Sequence, residues 1–158
     1  MSAPRVLEGE TVTRGRKVAI VAARFNDFIV ASLLKGATSA WLERGGPPED
    51  LLVARVPGAF ELPVAARRLA LSGRYDAVVA LGCVIRGDTP HFEYVSGECA
   101  RGLQLASMET GVPIIFGVLT VETVEQALER AATTAGNKGG EAMEAALEMA
   151  SLMARLTS

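Results

Sequence analysis

The single histidine of the chain, His91, is the side chain best suited to proton transfer. It follows the loop Arg86-Gly-Asp-Thr-Pro90 and precedes a segment with helical periodicity. Because imidazole exchanges protons readily near neutral pH, a histidine at such a junction is a candidate general acid or base. The alternative is a partly exposed helix-cap residue, and the local sequence leaves both interpretations open.

The loop that precedes His91 has features of an anion site. The stretch Gly87-Asp-Thr-Pro90 leads into a helix that is expected to begin at about Phe92. Backbone N–H groups in such a turn, together with a helix amino terminus, favour the binding of a phosphate group. The other interpretation is a plain capping loop, in which Asp88 or Thr89 caps the helix.

Three further side chains in turns could contact a ligand. Phe25 and Phe60 lie between predicted elements, where an aromatic ring either stacks on a flat heterocycle or folds back onto the core. Glu61 stands at a helix start, where it either favours the helix dipole or binds hydroxyl groups. Judged from their neighbours in the sequence, Arg130 and Lys138 are ordinary surface charges.

Four strand–helix units and a final helix must position these residues. Near-continuous apolar runs predict strands at 17–23, 51–56, 77–85 and 114–119. Helical periodicity and its breakers predict helices that end near residues 44, 73, 109, 132 and 156. Thr123 and Gln126 have the spacing of a capping box at the start of the fourth helix. Residues 1–15 form a weakly patterned amino-terminal arm, with a short edge strand expected near residues 5–7.

This order of elements predicts one α/β domain over residues 1–158. The expected architecture is a three-layer sandwich: a four-stranded parallel sheet with helices on both faces, doubly wound as in flavodoxin. Ligands of such sheets bind outside the carboxyl ends of the strands. The segments that carry Phe25, Glu61 and His91 follow three different strands, so all three residues should line one rim.

Composition and missing motifs exclude several functions. The 158 residues carry a formal net charge of −2, which gives no electrostatic reason to bind nucleic acid or an anionic membrane. Neither G-x-G-x-x-G nor G-x-x-x-x-G-K-[ST] occurs, so the usual phosphate-binding loops for dinucleotides and nucleoside triphosphates are absent from the sequence. One histidine with two scattered cysteines predicts no protein-held metal. Reduced thiols and the absence of a secretory signal pattern predict a cytoplasmic location.

Six segments in order and register resemble the 6,7-dimethyl-8-ribityllumazine synthase family. The resemblance extends from about Val18 to Leu156. The segments are Ala23-Arg-Phe-Asn26, Val56-Pro-Gly-Ala-Phe-Glu-Leu-Pro63, Gly82-Cys-Val-Ile-Arg-Gly-Asp-Thr-Pro-His-Phe-Glu-Tyr-Val95, Phe116-Gly-Val-Leu-Thr120, Glu125-Gln-Ala-Leu-Glu-Arg130 and Gly136-Asn-Lys-Gly139.

The resemblance implies an enzyme of riboflavin biosynthesis that uses no cofactor. Members of this family condense 5-amino-6-(D-ribitylamino)uracil with 3,4-dihydroxy-2-butanone 4-phosphate, releasing phosphate and water in the penultimate step of that pathway. They assemble as pentamers, with active sites between neighbouring subunits. The turn between the last two helices is short here, as in members that close into sixty-subunit icosahedral shells, and a free pentamer or decamer is the alternative. Riboflavin synthase is a candidate partner protein.

Matching motifs suggest a role for each site residue. Phe25 would stack on the pyrimidine, Ala59, Phe60 and Glu61 would meet the ribityl chain, and backbone groups of Val84 and Ile85 would hold the ring edge. Backbone N–H groups of Asp88 and Thr89 would bind phosphate, and His91 would move protons. From a neighbouring subunit, Phe116 would close the pocket, Arg130 would pair with the phosphate, and Lys138 would lie near the ring.

Two positions depart from the family pattern. A carboxylate at Asp88 is an awkward neighbour for phosphate unless it points away. Ala135 stands where some relatives carry a basic or aromatic residue, so the neighbour's contribution would rest on Arg130 and Lys138.

Two rival functions remain open at this point. A non-catalytic flavin- or lumazine-binding shell protein could share the same fold. A flavodoxin-like electron carrier would need a hydroxyl-rich phosphate loop after the first strand, and Arg24-Phe-Asn-Asp27 is not such a loop.

Overall fold

The computed structural model describes residues 2–132 and 136–157. Within them a four-stranded parallel sheet has the order β2-β1-β3-β4. The strands are β1 (Val18–Ala23), β2 (Leu51–Val56), β3 (Ala77–Ile85) and β4 (Ile114–Val121). The helices are α1 (Asp27–Glu43), α2 (Leu62–Leu71), α3 (His91–Thr110), α4 (Val124–Arg130) and α5 (Lys138–Leu156). Single 3-10 turns precede β2 and α2, at Pro48–Asp50 and Ala59–Glu61.

The two central strands bury side chains on both faces of the sheet. Every residue of β1 is buried, and so is β3 up to Val84. On one face α1 and α5 enclose a core that contains Trp41 and Met143. On the other face α2 and α3 cover a smaller core around Leu62 and Leu103. The three-layer α/β fold predicted from the sequence is therefore confirmed.

The chain reverses its direction of progress across the sheet between β1 and β3. From β1 it crosses to β2 on one side, and then returns to β3 on the other side. Ala22 pairs with Leu81, so the carboxyl ends of the two strands lie side by side. In open α/β sheets a crevice forms at such a reversal, because the connecting segments leave in opposite directions.

Several predicted boundaries and one pattern differ from the observed elements. β4 extends to Val121, and α4 ends at Arg130, two residues earlier than expected. Residues 5–7 form no strand, so the edge strand expected there is wrong within the described chain. The edge strand β2 is less covered than the apolar pattern suggested: Leu52 and Val53 are 38% and 40% exposed.

Asn137 fixes the start of α5 against α1. Its Oδ1 accepts hydrogen bonds from the backbone N–H groups of Gly139 and Gly140, at 2.8 and 3.0 Å. Its Nδ2 donates to the carbonyl oxygens of Ser32 and Ala131, each at 3.1 Å. This one side chain therefore caps α5 and ties it to α1 and to the end of α4.

The backbone of α1 approaches α5 so closely that a side chain at Gly139 has no room. A Cβ there would overlap the carbonyl group of Leu33, whereas a Cβ at Gly140 would lie 3.4 Å from its nearest neighbour, the carbonyl oxygen of Gly36. The first glycine is required by packing and the second is not.

We predict that Gly139→Ala destabilises the protein and that Gly140→Ala does not. Overpacking against a fixed backbone costs about 1–3 kcal/mol. Alanine in an open helical position gains up to about 1 kcal/mol over glycine. In urea denaturation at one protein concentration, the midpoint of unfolding should be lower than that of wild type for Gly139→Ala only. Equal midpoints would mean that the α1–α5 crossing adjusts without strain.

Candidate functional site

A cavity of about 360 Å³ lies at the crevice between the carboxyl ends of β1 and β3. We call it the sheet-end cavity. It brings together six of the residues predicted for the site. Those six are Phe25, Ala59, Val84, Ile85, Thr89 and His91. It is also lined by Asn26, Cys83, Gly87, Phe92 and Val95, which the sequence analysis did not single out.

A second cavity, of about 410 Å³, runs along the free edge of β4. We call it the β4-edge cavity. It gathers Phe116, Arg130 and Lys138 with consecutive residues of β4 and the first turns of α5. It shares no lining residue with the sheet-end cavity. Nine of the twelve predicted site residues are thus divided between two separate concave surfaces of one chain, and Phe60, Glu61 and Asp88 line neither of them.

The turn after β1 is held from both sides. The backbone N–H groups of Arg24 and Phe25 donate to the carbonyl oxygens of Val56 and Pro57, at 2.8 and 3.0 Å. On the other side, Asn26 Nδ2 donates to the carbonyl oxygen of Cys83 at 2.8 Å. These bonds leave the Phe25 side chain 72% exposed beside the cavity, where one face of its ring is open for stacking.

Asn26 is a residue of this cavity that the sequence analysis missed. Its φ is +62°, the left-handed conformation that asparagine tolerates better than most residues. Its carbonyl oxygen accepts from the backbone N–H groups of Ile29 and Val30 and so starts α1. An asparagine between an apolar strand and a helix was the available signal, since such positions often require a positive φ.

The segment after β2 places Glu61 close to Phe25. Ala59 is buried and Phe60 is 58% exposed, outside the lining of the cavity. A Cβ on Gly58 would lie 3.3 Å from a carboxylate oxygen of Glu61 and 4.0 Å from Cβ of Phe25. Gly58 therefore lies between the Glu61 carboxylate and the Phe25 side chain, which line neighbouring parts of the loops after β2 and β1.

The loop from residue 86 to residue 90 leads directly into α3. The hydroxyl oxygen of Thr89 accepts from the backbone N–H of His91 at 3.4 Å. Pro90 occupies the N-cap position of α3 and no side chain caps the helix there, so the capping role that one interpretation gave to Asp88 or Thr89 is wrong. Asp88 and His91 are exposed, and His91 is the first residue of α3. The N–H groups of the loop and the helix start lie beside the same cavity as Phe25.

Arg86 is engaged by two carboxylates at the edge of this loop. Its guanidinium pairs with Glu93 of α3 and with Glu122 after β4, the latter at 2.9 Å. Its Cζ lies 4.5 Å from the ring centroid of Phe92. The hydrogen bond with Glu93 raises the pKa of Arg86 and lowers the pKa of Glu93. Both groups are therefore held in their charged forms.

The two cysteines are buried and carry neutral thiols. Burial raises the pKa of Cys83 and of Cys99 to about 11. The thiolate is the nucleophilic form of cysteine, so the neutral thiol of Cys83 is not a nucleophile at neutral pH. Cys83 contributes packing and a backbone carbonyl to the cavity instead.

The β4-edge cavity is basic. Arg130 donates to the carbonyl oxygen of Gln126 at 3.0 Å, and Lys138 pairs with Glu141 at 3.2 Å. Thr123 caps α4 through Gln126 N–H at 3.1 Å, whereas the Gln126 side chain accepts from Glu122 N–H at 2.8 Å. The predicted capping box is therefore present with its return bond shifted by one residue. Position 135 lies outside the described residues.

No membrane span or metal cluster occurs in the parts of the chain that the structure describes. None of those helices is both long and apolar enough to cross a bilayer. No three histidine, cysteine, aspartate or glutamate side chains there come together as a metal site would require.

Comparison with known proteins agrees with this arrangement of elements and motifs. The family model described as 6,7-dimethyl-8-ribityllumazine synthase matches residues 15–154. A protein of Syntrophus aciditrophicus (strain SB) named 6,7-dimethyl-8-ribityllumazine synthase is 54% identical over 153 residues, which cover 97% of this chain and 99% of the relative. The match extends through both cavities, and the chain belongs to the 6,7-dimethyl-8-ribityllumazine synthase family.

Proposed function

We propose that the chain is a transferase that condenses 5-amino-6-(D-ribitylamino)uracil with 3,4-dihydroxy-2-butanone 4-phosphate. The products are 6,7-dimethyl-8-ribityllumazine, phosphate and water, which makes this the penultimate step of riboflavin biosynthesis. The observation that carries the proposal is the sheet-end cavity, where an exposed aromatic ring, the ends of two strands and a histidine surround one volume.

The cavity has a suitable group for each part of the pyrimidine substrate. Phe25 offers a ring face for the flat heterocycle. Backbone groups of Val84 and Ile85, at the end of β3, can hydrogen-bond the polar ring edge. Glu61, close to Phe25, can accept from ribityl hydroxyls, and Ala59 and Phe60 flank that chain.

The second substrate fits the start of α3. Backbone N–H groups of Asp88 and Thr89 would hold its phosphate there, with the Asp88 side chain directed to solvent. His91 would exchange protons while the imine forms and phosphate leaves. The amine attacks the ketone and a first water leaves as the imine forms. Phosphate is then eliminated, and closure of the ring on the remaining carbonyl releases a second water, so no hydride is transferred.

Positioning should supply most of the rate acceleration. Holding two reactants in the correct geometry contributes up to about 7–11 kcal/mol. One proton-transfer group adds roughly 10²- to 10⁴-fold. Both reactants are already reactive, which is why a site without a cofactor suffices.

We further propose that the active site is shared between subunits. No lysine or arginine lines the sheet-end cavity to balance a phosphate dianion, and Arg86 beside it is engaged by two carboxylates. Arg130, Lys138 and Phe116 lie in the other cavity of the same chain. The β4-edge cavity of a neighbouring copy, placed over the sheet-end cavity, would complete the site in a cyclic homo-oligomer such as a pentamer.

The turn between α4 and α5 is short, because α4 ends at Arg130 and α5 already begins at Lys138, and it favours closure of pentamers into a sixty-subunit icosahedral shell. Asn137 ties this turn to α1 and to the end of α4, which limits how far α4 and α5 can splay apart. Riboflavin synthase, which consumes the product, is the proposed protein partner. Two buried free thiols suit the reducing cytoplasm.

Formation of the lumazine from the two substrates tests the proposed activity. A non-catalytic flavin or lumazine binder of the same fold would bind the product but would not make it. Absorbance of the lumazine product, followed with purified protein against a protein-free control, distinguishes the two functions.

Arg130→Ala should raise the Michaelis constant for the butanone phosphate far more than that for the uracil. Losing a hydrogen bond to a charged group costs about 1.5–3 kcal/mol, or roughly one to two decades. Steady-state kinetics with each substrate varied in turn measures the effect. Arg67→Ala, which removes a distant surface arginine paired with Glu109 at 3.2 Å, is the control. Equal changes for both substrates would remove Arg130 from the phosphate role.

His91→Asn should lower kcat by roughly 10²- to 10⁴-fold relative to wild type and leave pyrimidine binding intact. Activity should remain above the uncatalysed rate, because the substrates are still held together. The pH dependence of kcat should differ between the variant and wild type, because the variant lacks the proton-transfer group. An unimpaired variant with the wild-type profile would show that His91 only begins α3.

Light scattering of the purified protein should give a particle of about one megadalton, the mass expected for the closed shell of 16.6 kDa chains. Arg130→Ala should have the same mass, which separates assembly from substrate binding. A pentamer-sized particle would reject the shell and keep the shared site. A fully active 16.6 kDa monomer would contradict the shared site.

A further inference from the structure

Arg86 joins β3, β4 and α3, and two of these elements, β3 and α3, line the sheet-end cavity. Its backbone N–H donates to the carbonyl oxygen of Val121 at 2.9 Å, which fixes the end of β3 to the end of β4. Its guanidinium pairs with Glu93 in the first turn of α3 and, through Nε at 2.9 Å, with Glu122. The same group lies over Phe92, whose ring lines the cavity.

The guanidinium itself does not line either cavity. Its charge is balanced by two carboxylates, so it is not free to receive a phosphate. Ion pairs with this degree of exposure contribute little to stability one by one. Their combined effect is geometric, because a planar fork with fixed donor directions defines the relative positions of two carboxylates and a ring.

The positions so defined include those of the groups that act on the substrate. His91 and Phe92 are adjacent in the chain, and Glu93 is on the same first turn of α3. A hold on Phe92 and Glu93 therefore orients the helix start from which His91 projects. It also holds together the two ends of the loop at residues 86–90, whose backbone N–H groups lie beside the cavity.

We propose that Arg86 is a positioning residue, which acts through Phe92, Glu93 and Glu122 to fix His91 and the loop at residues 86–90. This inference rests on the proposed function and goes beyond it. The hold also reaches α4, since Glu122 N–H donates to Gln126 and the carbonyl oxygen of Gln126 accepts from Arg130. The Arg86 guanidinium thus sets the geometry of both the sheet-end cavity and the β4-edge cavity.

Arg86→Lys tests the inference, because lysine keeps the charge and loses the fork. We expect kcat/KM for the butanone phosphate to fall by roughly ten- to hundredfold, as for a misplacement on the order of 1 Å. The Michaelis constant for the uracil should stay within about twofold of its wild-type value. Arg67→Lys, which loses the fork of a comparable surface pair with Glu109, should behave as wild type in both respects.

Glu122→Gln separates positioning from direct phosphate binding. If Arg86 were a phosphate ligand, removing a competing carboxylate would tighten the butanone phosphate. Positioning predicts a lower kcat/KM for the butanone phosphate in Glu122→Gln. It also predicts that the double variant with Arg86→Lys has the same kcat/KM as Arg86→Lys alone, because both changes disrupt the same contact. Tightening, additive losses, or wild-type kinetics of Arg86→Lys would each overturn the proposal.

Hydrogen exchange supplies a readout that does not require turnover. Backbone amides at positions 86, 93 and 94, which donate to Val121 and Pro90, should exchange faster in Arg86→Lys than in wild type, while those of α2 and of the α5 core keep their protection. Unchanged exchange at these three positions would overturn the positioning role even if activity fell. A wild-type protein that makes no lumazine would defeat the proposed function alone, and the exchange result would still decide whether Arg86 orders the loop.

Discussion

The hydrogen bond from Asn26 to the carbonyl oxygen of Cys83 spans the point at which the sheet reverses its winding. β1 and β3 run side by side, but the chain leaves them toward opposite edges, so nothing in the backbone ladder closes the gap beyond their ends. The side chain of Asn26 closes it with a single 2.8 Å contact. Phe25 on one side and Val84 on the other can then form two walls of one cavity.

The strands and the layer order could be predicted because buried strands appear in the sequence as continuous apolar runs. β2 and β3 begin and end where their apolar runs do, and a parallel sheet covered on both faces requires such runs. The exposure of β2 could not be predicted in the same way. Leu52 and Val53 have the residue types of a covered strand, and only the strand order shows that β2 lies at an edge.

The site was predictable where a residue's own chemistry or its motif identified it. His91 and Phe25 were found as an acid–base group and an aromatic ring in loops, whereas Arg130 and Lys138 resembled surface charges until their motifs were matched. Asn26, and Arg86 in the role that we propose for it, were missed because their contacts run through other groups. A left-handed φ and a guanidinium between two carboxylates exist only once distant segments have come together.

Charge balance is the physical argument for the shared site that we propose. A phosphate in the sheet-end cavity would meet backbone N–H groups and the histidine, while Arg86 already faces two carboxylates. Arg130 and Lys138, which have no such double neutralisation, line the β4-edge cavity. Adding a counter-charge within one cavity would require a new side chain, whereas cyclic symmetry would supply it by using the second cavity of the next copy. In this proposal, the demand for a cation at the phosphate turns a surface feature of the fold into a requirement for assembly.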